Sequence, residues 1–360
     1  MSKVVVGLSG GVDSSVAAYL LKKQGYEVVG LFMRNWVEEE GGACTAEEDF
    51  NDVRRVAAVL DIPYYVVDFS KEYYDKVFKL FVDEYAKGRT PNPDVLCNKV
   101  IKFDAFREYA LSFGAEYIAT GHYAGVRKED GVNYLLKCKD QNKDQTYFLN
   151  QLSSDQLEGV IFPLQDISDK SEVRRIASEI GLPTAEKKDS TGVCFIGERN
   201  FRKFLSEYIP MKEGLMKTLD GKVVGKHNGV FYYTIGQRHG LQIGGGGTGE
   251  PWFVVDKDVK TNVLTVNQGE CKELYAESVT CNDFNFISKP FAVGSYEVEC
   301  RIRHRQPLFK ATLIKTENEV IVDFSQPIRG VAAGQYAVCY VGDVCIGGGV
   351  IDSKRIPKKI

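Results

Sequence analysis

Residues 4–25 run from a block of valines through a glycine turn into an amphipathic segment, and this stretch restricts the fold most strongly. The continuous apolar run at residues 4–8 predicts a buried strand of a parallel sheet. Apolar side chains then recur on one helical face between residues 12 and 20, which predicts a helix. Because the turn SGGVDS at residues 9–14 presents backbone N–H groups beside a helix N-terminus, it predicts an anion-binding loop.

Strands and helices are predicted to alternate through the first part of the chain. Further strands are expected at 27–33, 64–69 and 117–120, and helices at 45–60, 71–87 and 103–113. Alternation of this kind is typical of an open parallel sheet with helices on both faces. The sequence therefore predicts an α/β fold that begins with a doubly wound parallel sheet.

The pattern changes near residue 210, where hairpin signals replace helical periodicity. Asp220-Gly221 and Asn228-Gly229 are typical hairpin turns. Period-two runs are expected as strands, among them 222–224, 230–234, 253–256, 263–266, 296–305, 309–315, 319–324 and 335–341. We predict three domains: an α/β domain at 1–209 and two small β-rich domains at 210–274 and 275–360.

Composition limits the class of protein and its surroundings. The chain is 44% hydrophobic and 26% charged, which is ordinary for a globular protein, and no apolar run approaches a membrane span. It begins with one lysine and a strand, which is neither a signal nor a transit peptide, so we expect a cytoplasmic location. Nine cysteines without a CxxC pair favour reduced thiols. A net charge of −3 means that a nucleic-acid partner requires local basic patches.

The glycine turn can be compared with known phosphate loops. It is neither GxxxxGK[ST] nor GxGxxG, and the missing lysine argues against γ-phosphate transfer. SGGVDS resembles the pyrophosphate loop of the N-type ATP pyrophosphatases, whose domain is of the adenine nucleotide alpha hydrolase type. In that family the loop holds the β- and γ-phosphates while the α-phosphate is transferred as AMP. Asp13 is then expected near Mg²⁺, although an aspartate in a first helical turn also complements the helix dipole.

Two further stretches carry cysteines in unusual surroundings. Pro91 and Pro93 stiffen a loop in which Asp94 precedes Cys97 by three residues. If a helix starts near Asp94, its amides lower the pKa of a thiol in the first turn. Cys194 lies between two glycines, in a loop that could move. The remaining cysteines are expected to be small buried apolar residues: Cys44, Cys138, Cys271, Cys281, Cys300, Cys339 and Cys345.

Five motifs in a fixed order resemble those of the tRNA-specific 2-thiouridylase family. They are SGGVDSS (9–15), NPDVLCN (92–98), TGHYA (120–124), NKDQTYFL (142–149) and DSTGVCFIG (189–197). The resemblance implies a tRNA-uridine 2-sulfurtransferase, in which ATP adenylates the 2-carbonyl oxygen of the wobble uridine. Sulfur then replaces that oxygen, and AMP and pyrophosphate are released. It also implies that residues 1–209 form an ATP-binding catalytic domain with a tRNA-contacting helical region, and that residues 275–360 form a tRNA-binding β-barrel.

The resemblance also implies roles for the two cysteines. Cys194 matches the residue that receives sulfur as a persulfide, and Cys97 matches the nucleophile that releases it and ends in a transient disulfide with Cys194. Asp94 matches the proposed general acid/base. The Cα atoms of Cys97 and Cys194 must come within ~7 Å at one stage of the reaction.

Binding positions follow from the same resemblance, with ATP and Mg²⁺ as cofactors. The expected ATP contacts are Gly7, Leu8, Ser9, Gly10, Gly11, Val12, Asp13, Ser14, Met33 and Gly121. The expected tRNA contacts are Asn92, Pro93, Asp94, Lys143, Asp144, Gln145, Arg303 and His304. A core methionine explains Met33 equally well, and His122 is expected to be structural.

A basic stretch near residue 300 indicates a phosphate-binding surface without help from the family. On a strand, Arg301, Arg303 and Arg305 share one face at ~6.7 Å spacing. Like charges in a row usually form a solvated face, but a phosphate backbone relieves their repulsion. In the family the residue after the matching arginine is usually tyrosine, whereas here it is His304.

The expected partners are tRNAs with a modified wobble uridine, those for Glu, Gln and Lys, and a sulfur donor. That donor is either a sulfur-relay protein or a cysteine desulfurase, and no membrane is involved. Two alternatives stay open: another adenylating enzyme of the pyrophosphatase family, amidating or tRNA-modifying, and a non-catalytic tRNA-binding protein. An amidating synthetase would leave Cys97 and Cys194 without a role.

Overall fold

Three sheets organise the computed structural model, which describes residues 1–36, 45–188, 201–244 and 248–359. The strands, numbered along the chain, are β1 (Lys3–Leu8), β2 (Glu27–Arg34), β3 (Tyr64–Asp68), β4 (Tyr117–Ala119), β5 (Gly125–Glu129), β6 (Val132–Leu136), β7 (Val160–Ile161), β8 (Gly214–Lys217), β9 (Val223–His227), β10 (Trp252–Asp258), β11 (Val263–Gln268), β12 (Tyr275–Phe286), β13 (Gly294–Arg301), β14 (Phe309–Lys315), β15 (Val320–Arg329), β16 (Tyr336–Val341) and β17 (Val344–Arg355). The α-helices are α1 (Val12–Lys23), α2 (Thr45–Leu60), α3 (Ser70–Tyr73), α4 (Lys79–Ala86), α5 (Pro93–Cys97), α6 (Phe106–Ser112), α7 (Lys170–Glu179) and α8 (Phe201–Ser206).

A five-stranded sheet of order β3-β2-β1-β4-β7 forms the N-terminal part, and its neighbouring strands are parallel. Val4 and Val6 of β1 pack with α1 in one apolar cluster, whereas Val5 belongs to the cluster on the other face. Both faces of β1 are therefore covered, which is why its sequence is continuously apolar. The predicted doubly wound parallel sheet is confirmed.

Helix α1 begins and ends where its sequence predicts. Its N-cap is Gly11, and the chain leaves it through Gln24 into Gly25, whose φ of 90° is a left-handed conformation that glycine adopts without strain. The predicted helices at 71–87 and 103–113 are more complex. The observed helical runs are 70–86 and 93–112, and each contains a π-helical segment, Tyr74–Phe78 in the first and Asn98–Ala105 in the second.

The C-terminal strands form a closed barrel of six strands. Its order is β12-β15-β14-β13-β16-β17, and β17 closes it by pairing with β12. The hairpin of β5 and β6 extends this sheet, because Leu135 and Leu136 pair with Cys345 and Val344 of β17. The predicted barrel is confirmed, but the hairpin that joins it to the N-terminal part was not predicted.

A four-stranded sheet of order β10-β11-β8-β9 lies between the other two in the chain. The strand predicted at 230–234 is wrong, because Val230–Tyr232 forms a 3-10 turn that follows Gly229 at φ 131°. Val230 and Tyr232 are both buried, so their alternation reflects burial in a turn rather than a strand. Among the described residues no helix is long and apolar enough to cross a membrane.

Candidate active site

The strand order of the parallel sheet locates a binding crevice. The chain moves outward from β1 to β2 and β3 on one side, and to β4 and β7 on the other. In open α/β sheets, ligands bind at the carboxyl ends of the strands where this order reverses. The loops after β1 and β4 meet at that point, and they carry the motifs SGGVDSS and TGHYA.

The loop after β1 is held open by serine hydroxyls. Ser9 N donates to Ser14 Oγ at 3.2 Å, and the Oγ atoms of Ser9 and Ser14 are 3.2 Å apart. Ser15 Oγ donates to the carbonyl of Gly11 at 2.8 Å. Helix α1 has no side-chain cap in the described structure, so its first amides are available to an anion.

Two glycines allow other segments to approach this loop closely. Gly10 has a φ of 74°, and a Cβ built there would lie 2.5 Å from the carbonyl oxygen of Asp49. A Cβ at Gly121 would lie 2.6 Å from Ser14 N and 2.8 Å from the carbonyl carbon of Asp13. The Cα of Gly121 thus packs directly against the first turn of α1, and this close contact leaves no room for a side chain at residue 121.

Asp13 is held by two side chains that sequence reasoning missed. Lys170 Nζ donates to both carboxylate oxygens at 2.5 and 2.6 Å, and Tyr123 donates its hydroxyl at 2.8 Å. Lys170 is the first residue of α7, far along the chain from the loop. The glycine motif lacks its own lysine, and the fold brings one to it from another element. No local sequence signal indicates this pairing.

Lys187, just before the DSTGVCFIG motif, bonds to the part of helix α2 that contacts the loop after β1. Lys187 Nζ donates to Asp49 at 2.7 Å and to Asp52 at 2.5 Å, and Asp49 is the residue that contacts Gly10. Residues 189–200 follow directly and lie outside the described residues, so Cys194 and its motif are not placed. Cys44 also lies outside them.

The NPDVLCN motif forms helix α5 and the residue after it. Asn92 is the N-cap, and its Oδ1 accepts from Asp94 N at 3.2 Å, with Pro93 at the first helical position. Cys97 is the fifth residue of the helix and is 3% exposed. The expectation that Cys97 lies in the first turn is therefore wrong, and the dipole acts on it more weakly than proposed because its effect falls off within one turn.

Asp94 lies in an environment that favours its protonated form. Burial raises the pKa of Asp94, and the positive charge of Lys102 opposes this rise. Burial also lowers the pKa of His122 well below its usual value, and Lys102 adds to that effect. His122 is neutral at physiological pH, with Nδ1 2.8 Å from Thr120 Oγ1, which agrees with a structural histidine.

The π-helical segment Asn98–Ala105 sets the direction of Lys102. Five residues along an α-helix turn a side chain by about 140°, which would point Lys102 away from the face of Cys97. In a π-helix, whose hydrogen bonds run from residue i to residue i+5, five residues make about one turn. Lys102 therefore lies on nearly the same face as Cys97. Among the described residues no carboxylate forms an ion pair with Lys102. Lys102 thus supplies a positive charge that acts on both Asp94 and His122.

Met33 lies beside the strand that leads into the loop. A Cβ built at Gly7 would be 3.3 Å from Met33 Cε and 3.7 Å from Phe106 Cζ. Met33 is partly buried and packs against the larger apolar cluster. It adjoins the crevice and also contributes to the core, so both expectations for it are compatible with this position.

The residues predicted at 143–145 have different environments. Asp144 is 1% exposed, accepts from Cys138 N at 3.1 Å and lies 3.9 Å from Arg301 Nη2. Its side chain is buried in this arrangement, and the contact of Asp144 with tRNA stays a prediction. Gln145 Oε1 accepts from Tyr123 N at 2.9 Å, so Gln145 supports the residue that contacts Asp13. Lys143 is partly exposed.

The predicted arginine strand ends early. Strand β13 stops at Arg301, and residues 302–306 form a turn, so the three arginines do not share a strand face. Arg301 is 5% exposed and donates to the carbonyl of His304 at 3.1 Å, whereas Arg303 and Arg305 are exposed. The exposed positive charge of this stretch therefore belongs to Arg303 and Arg305 in the turn, because Arg301 is buried beside Asp144.

His304 links this turn to the helix of Cys97. Its ring lies 4.5 Å from that of Phe148, and Phe148 O accepts from Asn98 Nδ2 at 3.1 Å. Burial lowers the pKa of His304 to about 4, with further lowering from Arg301, Arg305 and Lys143. The charge of Lys143 thus acts on His304, so two stretches of the chain predicted to bind RNA, 143–145 and 303–304, meet on one surface beside the crevice.

Models of protein families match the chain in three parts. A model described as tRNA methyl transferase HUP domain matches residues 2–198, one described as tRNA methyl transferase PRC-barrel domain matches 202–268, and one described as aminomethyltransferase beta-barrel domain matches 276–351.

Curated relatives match almost the whole chain. The tRNA-specific 2-thiouridylase MnmA of Listeria welshimeri is 57% identical over 354 residues, covering 98% of this chain and 95% of that protein. The protein of the same name from Listeria monocytogenes is 58% identical with the same coverage. That from Staphylococcus aureus is 57% identical, covering 97% of this chain and 95% of its own.

A solved structure resembles part of the chain more weakly. The U34-tRNA thiolase NcsA of Methanococcus maripaludis, with its [4Fe-4S] cluster, is 22% identical, with a TM-score of 0.37. The match covers 57% of this chain and 64% of that one. A similarity of this size carries no argument about activity.

Proposed function

The chain belongs to the tRNA-specific 2-thiouridylase family, and from this premise we propose that it replaces the 2-oxygen of the wobble uridine in tRNA with sulfur. The single observation that carries the proposal is identity of 57% over 98% of the chain to a protein of that name. The structure supports it, because an uncapped helix N-terminus follows the glycine loop, and Asp94 and Cys97 lie on one short helix near His122 of the loop after β4, since Lys102 acts on both Asp94 and His122.

ATP would bind with its phosphates at the first turn of α1. The uncapped amides of this turn and the hydroxyls of Ser9 and Ser14 suit a polyphosphate, and Met33 adjoins the space beside Gly7. ATP supplies the AMP group that converts the uridine oxygen into a good leaving group. Lys170 donates two hydrogen bonds to Asp13 of the loop motif, and so brings to the loop the positive charge that the glycine motif lacks.

Mg²⁺ would accompany the nucleotide, and Asp13 is the candidate ligand at the loop. Both Asp13 oxygens accept from Lys170, so Asp13 can reach a metal ion only if that ion pair opens or one oxygen is shared. The donor set fits Mg²⁺, which prefers one or two carboxylates together with phosphate oxygens and water.

The sulfur would pass from a persulfide on Cys194 to C2 of the uridine. The terminal persulfide sulfur attacks C2 and AMP departs with the former oxygen, leaving the base joined to Cys194 through a disulfide. The Cys97 thiolate then attacks the Cys194 sulfur, which releases the thiocarbonyl and forms the Cys97–Cys194 disulfide. An external thiol reductant restores both cysteines. Asp94, whose pKa burial raises, would move the proton at the base.

The tRNA would lie across the crevice and the turn after β13. Asn92, Pro93 and Asp94 at the start of α5 would contact the extruded base, while Lys143 and Arg303 would contact the backbone. His304 is neutral at pH 7, so it would contribute packing rather than charge.

Several finer points belong to the same proposal. The domains would divide at 1–209, 210–274 and 275–360, and the protein would act in the cytoplasm on tRNAs for Glu, Gln and Lys. The sulfur would come from a relay protein or a cysteine desulfurase.

The products of the reaction test the proposal. With tRNA, ATP and a persulfide donor, we expect AMP and pyrophosphate together with a uridine in which sulfur replaces oxygen. The family model's description raises methyl transfer as a rival, which would add a methyl group and require no ATP. Mass analysis of the nucleosides separates the two, and AMP formation with ammonia and without tRNA would instead identify an amidating enzyme.

A further inference from the structure

A cavity of ≈ 260 Å³ lies where the three parts of the chain meet. Its walls come from residues 87–90 ahead of α5, from Ile235 and residues 255–257 of the central part, and from residues 331–333 and 351–354 of the barrel. No residue that the sequence predicts to bind ATP or tRNA lines this cavity. It is thus distinct from the crevice at the parallel sheet.

Hydrogen bonds fix the walls of this cavity. Thr90 N donates to the carbonyl of Ala333 at 2.8 Å, and Gln335 Nε2 donates to the carbonyl of Thr90 at 2.7 Å. Arg89 Nη1 donates to Asp352 at 2.8 Å. Thr90 lies two residues before Asn92, the N-cap of α5, so the cavity adjoins the segment that leads into the helix of Cys97.

The cavity has an excess of positive charge. Four cations and two carboxylates line it: Lys87, Arg89, Lys257, Lys354, Asp256 and Asp352. Arg89 is paired with Asp352, and Lys87 with Glu84 at 2.9 Å. Lys257 and Lys354 form no ion pair with any described residue. They donate instead to the carbonyls of Tyr233 and Glu273, at 2.7 and 2.6 Å.

Both lysines are partly withdrawn from water. Burial lowers the pKa of Lys257 to about 8, and the charge of Asp256 opposes this change. Burial also lowers the pKa of Lys354, and Asp256, Cys271 and Glu273 oppose that change. A bound anion stabilises an ammonium group most when that group is removed from water and is hydrogen-bonded only to a neutral carbonyl. Because the two lysines come from different parts of the chain, an anion between them would also hold those parts together.

The cavity adjoins the surface predicted to bind RNA. Arg303 Nη2 donates to the carbonyl of Gly330 at 3.0 Å and lies 3.5 Å from that of Ile235. Ile235 lines the cavity, and Gly330 precedes Val331, which also lines it. A nucleic-acid backbone in contact with Arg303 therefore passes beside the cavity.

We propose that this cavity binds a phosphate group between Lys257 and Lys354, and that the backbone of the bound tRNA supplies it. The RNA source rests on the proposed function, and a free phosphate ion is the other possible source. Occupation of the cavity would connect RNA binding to residues 87–92 and so to the position of α5.

The test uses the double variant Lys257→Gln/Lys354→Gln in the full chain. Glutamine keeps a donor for each carbonyl and removes the charge. The matched control is Lys260→Gln/Lys358→Gln, which changes two exposed lysines that do not line the cavity. Thermal unfolding of the RNA-free protein is compared in potassium phosphate and in potassium chloride of equal ionic strength. The affinity for tRNA is measured over a range of salt concentrations.

We expect phosphate to raise the Tm of the wild type and the control by more than that of the double variant, whose smaller rise measures the general stabilising effect of phosphate. We also expect the slope of log affinity against log salt to fall by about one in the double variant alone. A smaller phosphate effect in the double variant with an unchanged slope overturns the RNA source and supports a free phosphate ligand. No difference in either measurement overturns the proposal. A wild type that binds no tRNA contradicts the proposed function, while the phosphate arm still decides whether the cavity binds an anion.

Discussion

Asp94 illustrates how a single residue acquires its chemistry from its neighbours. It lies three residues before Cys97 in the sequence, but the rise in its pKa comes from its burial in the folded chain. The same holds for Asp13, whose partners Lys170 and Tyr123 come from two other elements. A motif identifies such residues, whereas their partners follow from the fold and have no local signal in the sequence.

The variant Asp94→Asn tests this environment through both activity and stability. Loss of a general acid/base lowers turnover by about 10²- to 10⁴-fold. Because the folded pKa of Asp94 is raised, the folded state loses stability as pH rises from the unfolded value of 3.8 through the folded one. Asparagine carries no such cost, so we expect Asp94→Asn to raise the Tm at neutral pH and to have little effect below pH ~4.

Asp104→Asn is the matched control, since Asp104 is exposed on the same helical run. It should change neither activity nor the pH dependence of the Tm. A variant at Asp94 that is fully active, or that is equally destabilised at every pH, would contradict the role of burial at this residue.

Helices and strands were predicted best where one short stretch of sequence determines both the hydrophobic pattern and the packing. The strand–turn–helix at β1 and α1 is of this kind, since its apolar run, glycines and helical face are all local. Prediction was poorer where a turn imitates a strand, as at Val230–Tyr232, or where buried Arg301 ends β13. Period-two burial occurs in turns as well as strands, and only tertiary contacts distinguish them.

Gly121→Ala tests the contact between the loop after β4 and the first turn of α1. The added Cβ would lie within 2.9 Å of backbone atoms of Asp13 and Ser14, so the phosphate loop must move. A displacement near 1 Å in a binding loop costs about 10²-fold in activity. We expect weaker ATP binding, measured by calorimetry, and a matching loss of thiolation.

Gly244→Ala is the control, because a Cβ there meets no atom within 4 Å and the position has no left-handed φ. Unchanged ATP affinity in Gly121→Ala would show that the loop tolerates displacement and would contradict this account of the element.

The turn after β13 makes a second prediction at this scale. Arg303→Ala should weaken tRNA binding and reduce its salt dependence by about one unit of slope, with ATP affinity unchanged. Arg301→Ala should instead lower the Tm, because it removes a cation that lies 3.9 Å from buried Asp144 and leaves that carboxylate without it. Equal salt slopes for the wild type and Arg303→Ala would contradict the phosphate contact.

At the scale of the whole molecule, the three parts of the chain form one framework around the crevice. Strand β6 of the N-terminal part extends the barrel sheet, and residues 89–90 bond to the barrel on the way to α5. The sequence predicted three regions of different periodicity but not these joints, because their pairs lie up to 263 residues apart. The barrel thereby supports the helix of Cys97 as well as the surface that is proposed to bind RNA.

The central claim is that sulfur passes from Cys194 to the uridine with the help of Cys97. Its most direct test is quantitation of thiolated uridine in tRNA after single-turnover reactions of the wild type, Cys97→Ser and Cys194→Ser. Cys271→Ser serves as a control at a partly exposed cysteine that has no proposed role. We predict a full yield for the wild type and the control, and no thiolated uridine for either of the other variants, with ATP binding retained in both. Normal thiolation by Cys97→Ser or by Cys194→Ser would contradict the account.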